Sequence, residues 1–252
     1  MTRTRANYKI PRGMGRGLVI RDMQQAPLGS SAPMFSRPLI ARSEWGDRIA
    51  EKKKHRAMLS DIRNISGPNG GMIPALNQGR DPWCWAFSPT SAATLARASA
   101  GSPYKHLSGN AVGNMVTGFK VRGGWSENSM KFVQEKGVPE TSYWPEGDNK
   151  RHWDSPDTWA NAAENVVLEW WDIDPNDKDA IMTCLLLNYP VAVDIPAWGH
   201  SVCLIDPVDA AGKEFDQFNS WGNNWNGNGI GRLKGKYTKF SSAIACTAVT
   251  GG

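Results

Sequence analysis

The sequence predicts an α+β fold, a helical lobe followed by an antiparallel β-sheet lobe with the site in the cleft between them. Three observations predict it. Helix-period segments fill residues 84–135. Short apolar or alternating runs bounded by turn residues fill 166–249. A single helix, 177–187, interrupts those strands, so helices come first and strands later. A chain of 252 residues is long enough for one sizeable core or two small lobes. Its 40% hydrophobic and 21% charged residues exclude wholesale disorder, and its 26 glycines show no period of three.

The elements follow in order. Residues 1–66 hold 14 Lys+Arg and 5 Asp+Glu, a net charge of +9, whereas 67–252 carry a net −4. The basic balance therefore belongs to an N-terminal extension. Within it, 1–37 sets seven Lys and Arg residues against a lone Asp22, is punctuated by Pro11, Pro27 and Pro33, and has no period. Such a segment buries too little apolar surface to offset its own ordering entropy. It reads as a solubilising arm or as one laid on a partner, either nucleic acid or an acidic protein surface. Gly13-Met14-Gly15-Arg16-Gly17 is too short for a phosphate loop, and no strand precedes it. A helix is expected over 44–58, capped by Ser43, with Lys52-Lys53-Lys54 at the negative end of its dipole. Ser66-Gly67-Pro68-Asn69-Gly70-Gly71 marks the boundary of the main domain, 67–252. Helices are expected at 84–98, 109–117 and 126–135, and an irregular stretch at 137–160. Strands are expected at 166–171, 190–195, 201–205, 215–221, 229–233 and 244–249.

No apolar stretch marks a secretory signal, and no run approaches the 18 residues a membrane span needs. A cytoplasmic location and no membrane partner are the expectation. Four cysteines, Cys84, Cys184, Cys203 and Cys246, are too few for a disulfide scaffold. His55, His106, His152 and His200 show no ligand spacing with them, so no metal and no cofactor is expected. The acidic residues Asp172, Asp174, Asp177 and Asp179 lack the glycine and terminal glutamate of a calcium loop and read as a charged helix start.

One constellation carries chemistry. A cysteine opening a helix, with a histidine and an asparagine far downstream, is the pattern of a thiol nucleophile. Cys84 falls in the first turn of the 84–98 helix, where unpaired N–H groups favour a thiolate. Gln78, six residues earlier, is in reach to stabilise an oxyanion. His200 opens a β run and Asn219 ends the next one, so a hairpin sets them side by side.

These residues resemble the papain family of cysteine peptidases. Gln78-Gly79 followed by Cys84-Trp85-Ala86-Phe87-Ser88 matches its Q-G-(x)4-C-W-A-F-S signature. Gly123-Gly124-Trp125 resembles the stretch that pairs with substrate backbone. Asn219-Ser220-Trp221-Gly222 through Trp225, Asn228-Gly229 and Arg232 matches the family's N-S-W-G-x-x-W-x-x-N-G-x-x-R block without a gap. The resemblance spans roughly 72–235. It implies the two-lobe papain-like fold, Cys84 as nucleophile, His200 as base, Asn219 orienting His200, Gln78 in the oxyanion hole and Trp221 shielding the Asn–His bond. It also implies a thiolate–imidazolium pair, in which a thiol pKa of about 8.5 falls to about 3–4.

Departures from the family's pattern accompany these matches. Pro82-Trp83 replaces the small pair before the nucleophile, and Trp83 is expected to narrow the substrate cleft. Asp81 stands where a bracing cysteine is usual, and Gly199 precedes His200 where Asp is usual. Pro89 lies about five residues into the catalytic helix, at a cost of roughly 3 kcal/mol unless the turn relaxes. The extension lacks the spaced helix of the usual inhibitory propeptide, which argues against a zymogen.

Two functions follow. One is a thiol hydrolase cleaving peptide or isopeptide bonds in a peptide or protein substrate, bound by Gly123, Gly124, Trp83 and Trp221. The alternative is a papain-fold structural protein whose basic arm docks it into an assembly. Arg42-Ser43-Glu44-Trp45 and Leu59-Ser60-Asp61 resemble papain-like proteins of bacteriophages and bacteria, which makes that alternative a virion-associated one.

Overall fold

The computed structural model describes residues 8–250, and its helices precede its sheet with one interruption. Two short helices come first, α1 (Trp45–Lys54) and α2 (Leu59–Arg63). Trp45 and Ile49, one turn apart, are the buried residues of α1. The helix stops four residues short of the expected 58, because Arg56 turns into the left-handed region at φ 53°. Three helices build the first lobe: α3 (Cys84–Ser99), α4 (Gly109–Thr117) and α5 (Ser126–Lys136). All but the last residue of α3 is buried, and the helix runs unbroken through Pro89. Ser108 caps α4 by accepting from the Ala111 N–H.

α6 (Pro156–Ala162) lies in the stretch expected to be irregular. Its start was legible in Ser155-Pro156, since Ser155 accepts from the Thr158 N–H and Pro156 sits at the first helical position.

The second lobe is a six-stranded sheet, β1 (Val167–Ile173), β2 (Val191–Ile195), β3 (His200–Pro207), β4 (Phe215–Phe218), β5 (Ile230–Leu233) and β6 (Ser242–Val249). The spatial order is β1-β6-β2-β3-β4-β5, antiparallel throughout. α7 (Lys178–Leu186) joins β1 to β2 and begins at Asp177, whose carboxylate accepts from the Ala180 N–H at 2.9 Å. The β2–β3 hairpin pairs Ile195 with His200, and β3 pairs Cys203 with Phe218. That register brings Asn219, one residue past β4, alongside the start of β3.

Two cores flank the sheet. One joins α3 to residues such as Cys203, Ile244 and Cys246; the other joins α1 and α7 to Val193, Phe215 and Leu233. Cys184, Cys203 and Cys246 are buried free thiols, and burial pushes each thiol up from its ordinary value. No helix among the described residues is long and apolar enough to cross a membrane.

Candidate active site

Cys84 is the first residue of α3 and is fully buried. Its Sγ lies 3.3 Å from the backbone N–H of Gly17, a residue of the arm. On the other side it meets the backbone and hydroxyl of Ser201, the residue after His200. The helical lobe braces this turn without a disulfide. Asp81 accepts from the Nδ2 groups of Asn110 (3.3 Å) and Asn149 (3.2 Å), so a polar latch occupies the place of the bracing cysteine.

Trp83 departs from expectation. Its indole is fully buried and packs so closely on Gly113 of α4 that a Cβ there would lie 2.5 Å from the ring. The residue fills the helical lobe and does not narrow a substrate cleft.

His200 donates from Nε2 to Asn219 Oδ1 at 2.8 Å, which leaves Nδ1 buried and without a partner among the described residues. Asn219 Oδ1 also accepts from the Ser220 N–H at 2.8 Å, which fixes the amide's orientation. The Trp221 indole stacks on the imidazole at 4.3 Å between centroids. Trp198 meets the same imidazole edge-on at 5.0 Å, so apolar rings wall off the His–Asn bond. Gln78 is buried, its Oε1 accepting from the Ser220 hydroxyl at 2.6 Å. Its Nε2 donates to Gly15 O at 3.1 Å and to Asp81 O at 2.9 Å.

The arm therefore occupies the cleft. Gly15 O accepts from both Gln78 Nε2 and Trp221 Nε1, the latter at 3.3 Å. Two residues later, Gly17 N meets Cys84. Gly124 then takes the arm as a strand partner, donating to Gly17 O at 3.1 Å and accepting from Val19 N at 3.2 Å. The bridge between Leu18 and Gly124 is parallel. The spaced glycines have a physical reason. A Cβ at Gly15 would lie 2.1 Å from Asp81 O, and one at Gly17 would lie 1.8 Å from Pro82 O. Only residues without side chains approach the cleft floor so closely.

The rest of the arm clamps both ends. Tyr8 stacks on Tyr237 at 3.5 Å, and its hydroxyl donates to Arg232 O. Arg16 donates to Trp198 O at 2.8 Å, and Arg37 pairs with Glu169 at 2.8 Å. Residues 8–37 were expected as a solubilising arm or as one laid on a partner, and several of them are engaged within the chain. These residues lie on their own domain, because the body offers them backbone partners and carboxylates. The segment that covers Cys84 is extended backbone of the arm, with no propeptide helix. Arg3 and Arg5 lie outside the described residues.

Electrostatics follow from this closure. Burial raises the Cys84 thiol, with only the Gly17 and Ser201 contacts acting the other way. Burial also lowers His200, to about 4, against the Asn219 hydrogen bond that favours the cation. In the covered state burial thus favours the neutral form of both groups, against the thiolate–imidazolium pair.

Sequence reasoning missed a buried acidic network behind the nucleophile. Asp194 Oδ1 accepts from the hydroxyls of Ser201 (2.6 Å) and Ser126 (2.7 Å), and burial raises its carboxyl well above the usual range. Beyond it, Glu127 and Asp172 hold the guanidinium of Arg21. The available signal was Asp194 itself, a lone carboxylate inside the apolar run Val191-Ala192-Val193-Asp194-Ile195. Of the four acids considered for calcium, Asp172 binds Arg21, Asp177 caps α7 and Asp179 pairs with Arg42 at 2.8 Å. Among the described residues no group of three or more His, Cys, Asp or Glu is arranged to hold a metal ion.

No family model matches the sequence, and no curated protein matches it. Solved structures do match the fold. Xylellain, a cysteine protease from Xylella fastidiosa, superposes with a TM-score of 0.64 at 18% identity, over 100% of this chain and 99% of that one. Digestive procathepsin L 3 from the larval midgut of Tenebrio molitor gives 0.61 at 17% identity, over 92% and 75%. The cysteine protease and lectin-like domains of Cwp84 from Clostridium difficile give 0.56 at 15%, over 71% and 49%. The chain has the papain-like cysteine protease fold.

Proposed function

We propose that this chain is a thiol hydrolase that cleaves peptide or isopeptide bonds through an acyl-enzyme. In this reading the arm leaves the cleft and a substrate carbonyl takes the position of Gly15 O. Cys84 gives its proton to His200, and its sulfur adds to the carbonyl carbon. Negative charge collects on the carbonyl oxygen, facing Gln78 Nε2 and the Cys84 N–H. The C–N bond then breaks, His200 returns the proton to the leaving amine, and a thioester remains on Cys84. Water, deprotonated by His200, releases the acid and restores the thiol. Asn219 accepts from His200 Nε2 throughout, so that the proton moves through Nδ1.

The observation that carries this reading is the bond from Gln78 Nε2 to a carbonyl oxygen at the mouth of the helix that bears Cys84. A donor placed there is suited to an oxyanion. The test is peptidase activity of the full chain and of Gly17→Ala, with Cys84→Ala as control. Turnover lost with Cys84→Ala supports the proposal, and turnover unchanged by it defeats the proposal. The alternative of docking through the arm draws no support from Arg16, Arg21 and Arg37, all engaged within the chain.

A further inference from the structure

Arg21 is an arm residue whose side chain is entirely buried. All five of its N–H donors are matched. Nη1 donates to Glu127 Oε1 and Asp172 Oδ1, each at 2.9 Å, and Nη2 donates to Asp172 Oδ2 at 2.9 Å. The remaining two donors meet Ala26 O and Pro27 O, each at 2.7 Å. Asp172 also accepts from Gly29 N at 2.9 Å.

Ownership of these groups is uneven. The cation, both carbonyls and the Gly29 donor come from the arm. The carboxylates come from the body: Glu127 from α5, Asp172 from β1 and, next to them, Asp194 from β2. Lifting the arm off Cys84 thus removes the charge that matches the pocket. One carboxylate oxygen, Glu127 Oε2, lacks a hydrogen-bond partner among the described residues even with the arm in place. The Ser242 hydroxyl, donating to Glu127 Oε1, is a further body partner. A buried acidic pocket left in this condition calls for a cation.

The pocket also lies beside the reaction centre. Ser201 touches both Cys84 and Asp194, and Glu127 follows Gly124 by three residues on the same segment. Leu18, paired with Gly124, precedes Arg21 by the same interval. We propose that, once the arm withdraws, this pocket selects an arginine side chain of the substrate, and that Arg21 is its built-in occupant. The inference rests on the hydrolase reading for the word substrate, but the pocket's preference is testable apart from it. Arginine is favoured over lysine because the two Asp172 oxygens meet Nη1 and Nη2 as a fork, which a point-like ammonium cannot reproduce.

The experiment uses full-length Arg21→Ala, with Arg21→Gln as the second variant if the first does not fold. Acetyl-arginine methylamide and its neutral isostere, acetyl-citrulline methylamide, are compared by thermal shift and calorimetry. The arginine compound should raise the melting temperature of the variant and leave wild type unchanged. Citrulline should have no effect, and adding Asp172→Asn should abolish the response. Equal responses to both compounds, or an equal response from wild type, would overturn the proposal. Hydrolysis is read separately, on peptides in which arginine, citrulline or leucine is placed in turn at each position flanking the scissile bond. A preference for arginine of about tenfold or more in kcat/KM is expected, and no preference overturns the assignment. If no peptide of any sequence is cleaved, the hydrolase reading fails while the binding comparison still decides the pocket.

Discussion

Gly15 and Gln78 form the contact around which the closed site is organised: the glycine carbonyl sits 3.1 Å from the glutamine Nε2. One chain supplies both the donor suited to an oxyanion and the oxygen that fills it. Cys84 is covered two arm residues later, by Gly17.

Gly17→Ala should open the site. Its Cβ would stand 1.8 Å from Pro82 O, a backbone atom that cannot yield without moving the turn before α3. Overpacking of this kind costs about 1–3 kcal/mol, and here the arm can leave instead of absorbing it. Alkylation of Cys84 by iodoacetamide, followed by peptide mass spectrometry, should accelerate by about tenfold or more. An unchanged rate would show that the arm does not control access.

Asn219→Ala should damage both stability and chemistry. The variant leaves buried His200 Nε2 without its 2.8 Å acceptor, at a cost of about 1–3 kcal/mol. Melting temperature should fall, and alkylation of Cys84 in the Gly17→Ala background should slow, because the imidazole is no longer held in one tautomer. A full rate in the double variant would remove Asn219 from any positioning role.

Acid should destabilise the covered state through His200. Its pKa is lowered to about 4 in the fold against 6.5 for the free side chain, so the unfolded chain binds the extra proton between those values. Stability therefore rises with pH across about 4 to 6.5, by roughly 3 kcal/mol from this group. A melting curve series on wild type and His200→Gln should show the variant with a shallower slope in that window. Parallel slopes would mean that His200 is hydrated and not enclosed.

Asp194→Asn should change little in acid and stabilise in alkali. Burial, then Glu127, raises the Asp194 carboxyl, so the folded chain holds a proton that the unfolded chain has lost. That contribution is present at low pH and fades as pH rises through the folded value. Asparagine carries no proton to lose. The difference in melting temperature between variant and wild type should shift in the variant's favour from pH 5 to pH 8; the reverse trend would mean an ionised Asp194 in the native state.

Much of the fold was legible because its signals are local. The period of 109–117 sets α4 to the residue, and Asp177 marks the start of α7. Cys84, Gln78, His200 and Asn219 stand out in the sequence because their spacing matches a known pattern, and the strand register brings the last two together. Other features were not readable in this way. Trp83 looked like a cleft residue, but a glycine on another helix decides where its indole goes. The destination of Arg21 depends on carboxylates 106 and 151 residues away, a separation at which periodicity carries no information. Nothing in 1–37 has a period, and between Gly15 and Val19 the arm exchanges backbone hydrogen bonds with Gly79 and Gly124 of the body.

The covalent link between arm and body has a consequence for how the cover behaves. A tethered segment meets its own cleft at an effective concentration in the millimolar range, whatever the dilution of the protein. Backbone between the Arg37–Glu169 pair and α1 includes exposed Pro38 and Leu39. A single cut there would turn the arm into a separate peptide. Occupancy of the cleft would then follow protein concentration, and dilution alone would uncover Cys84.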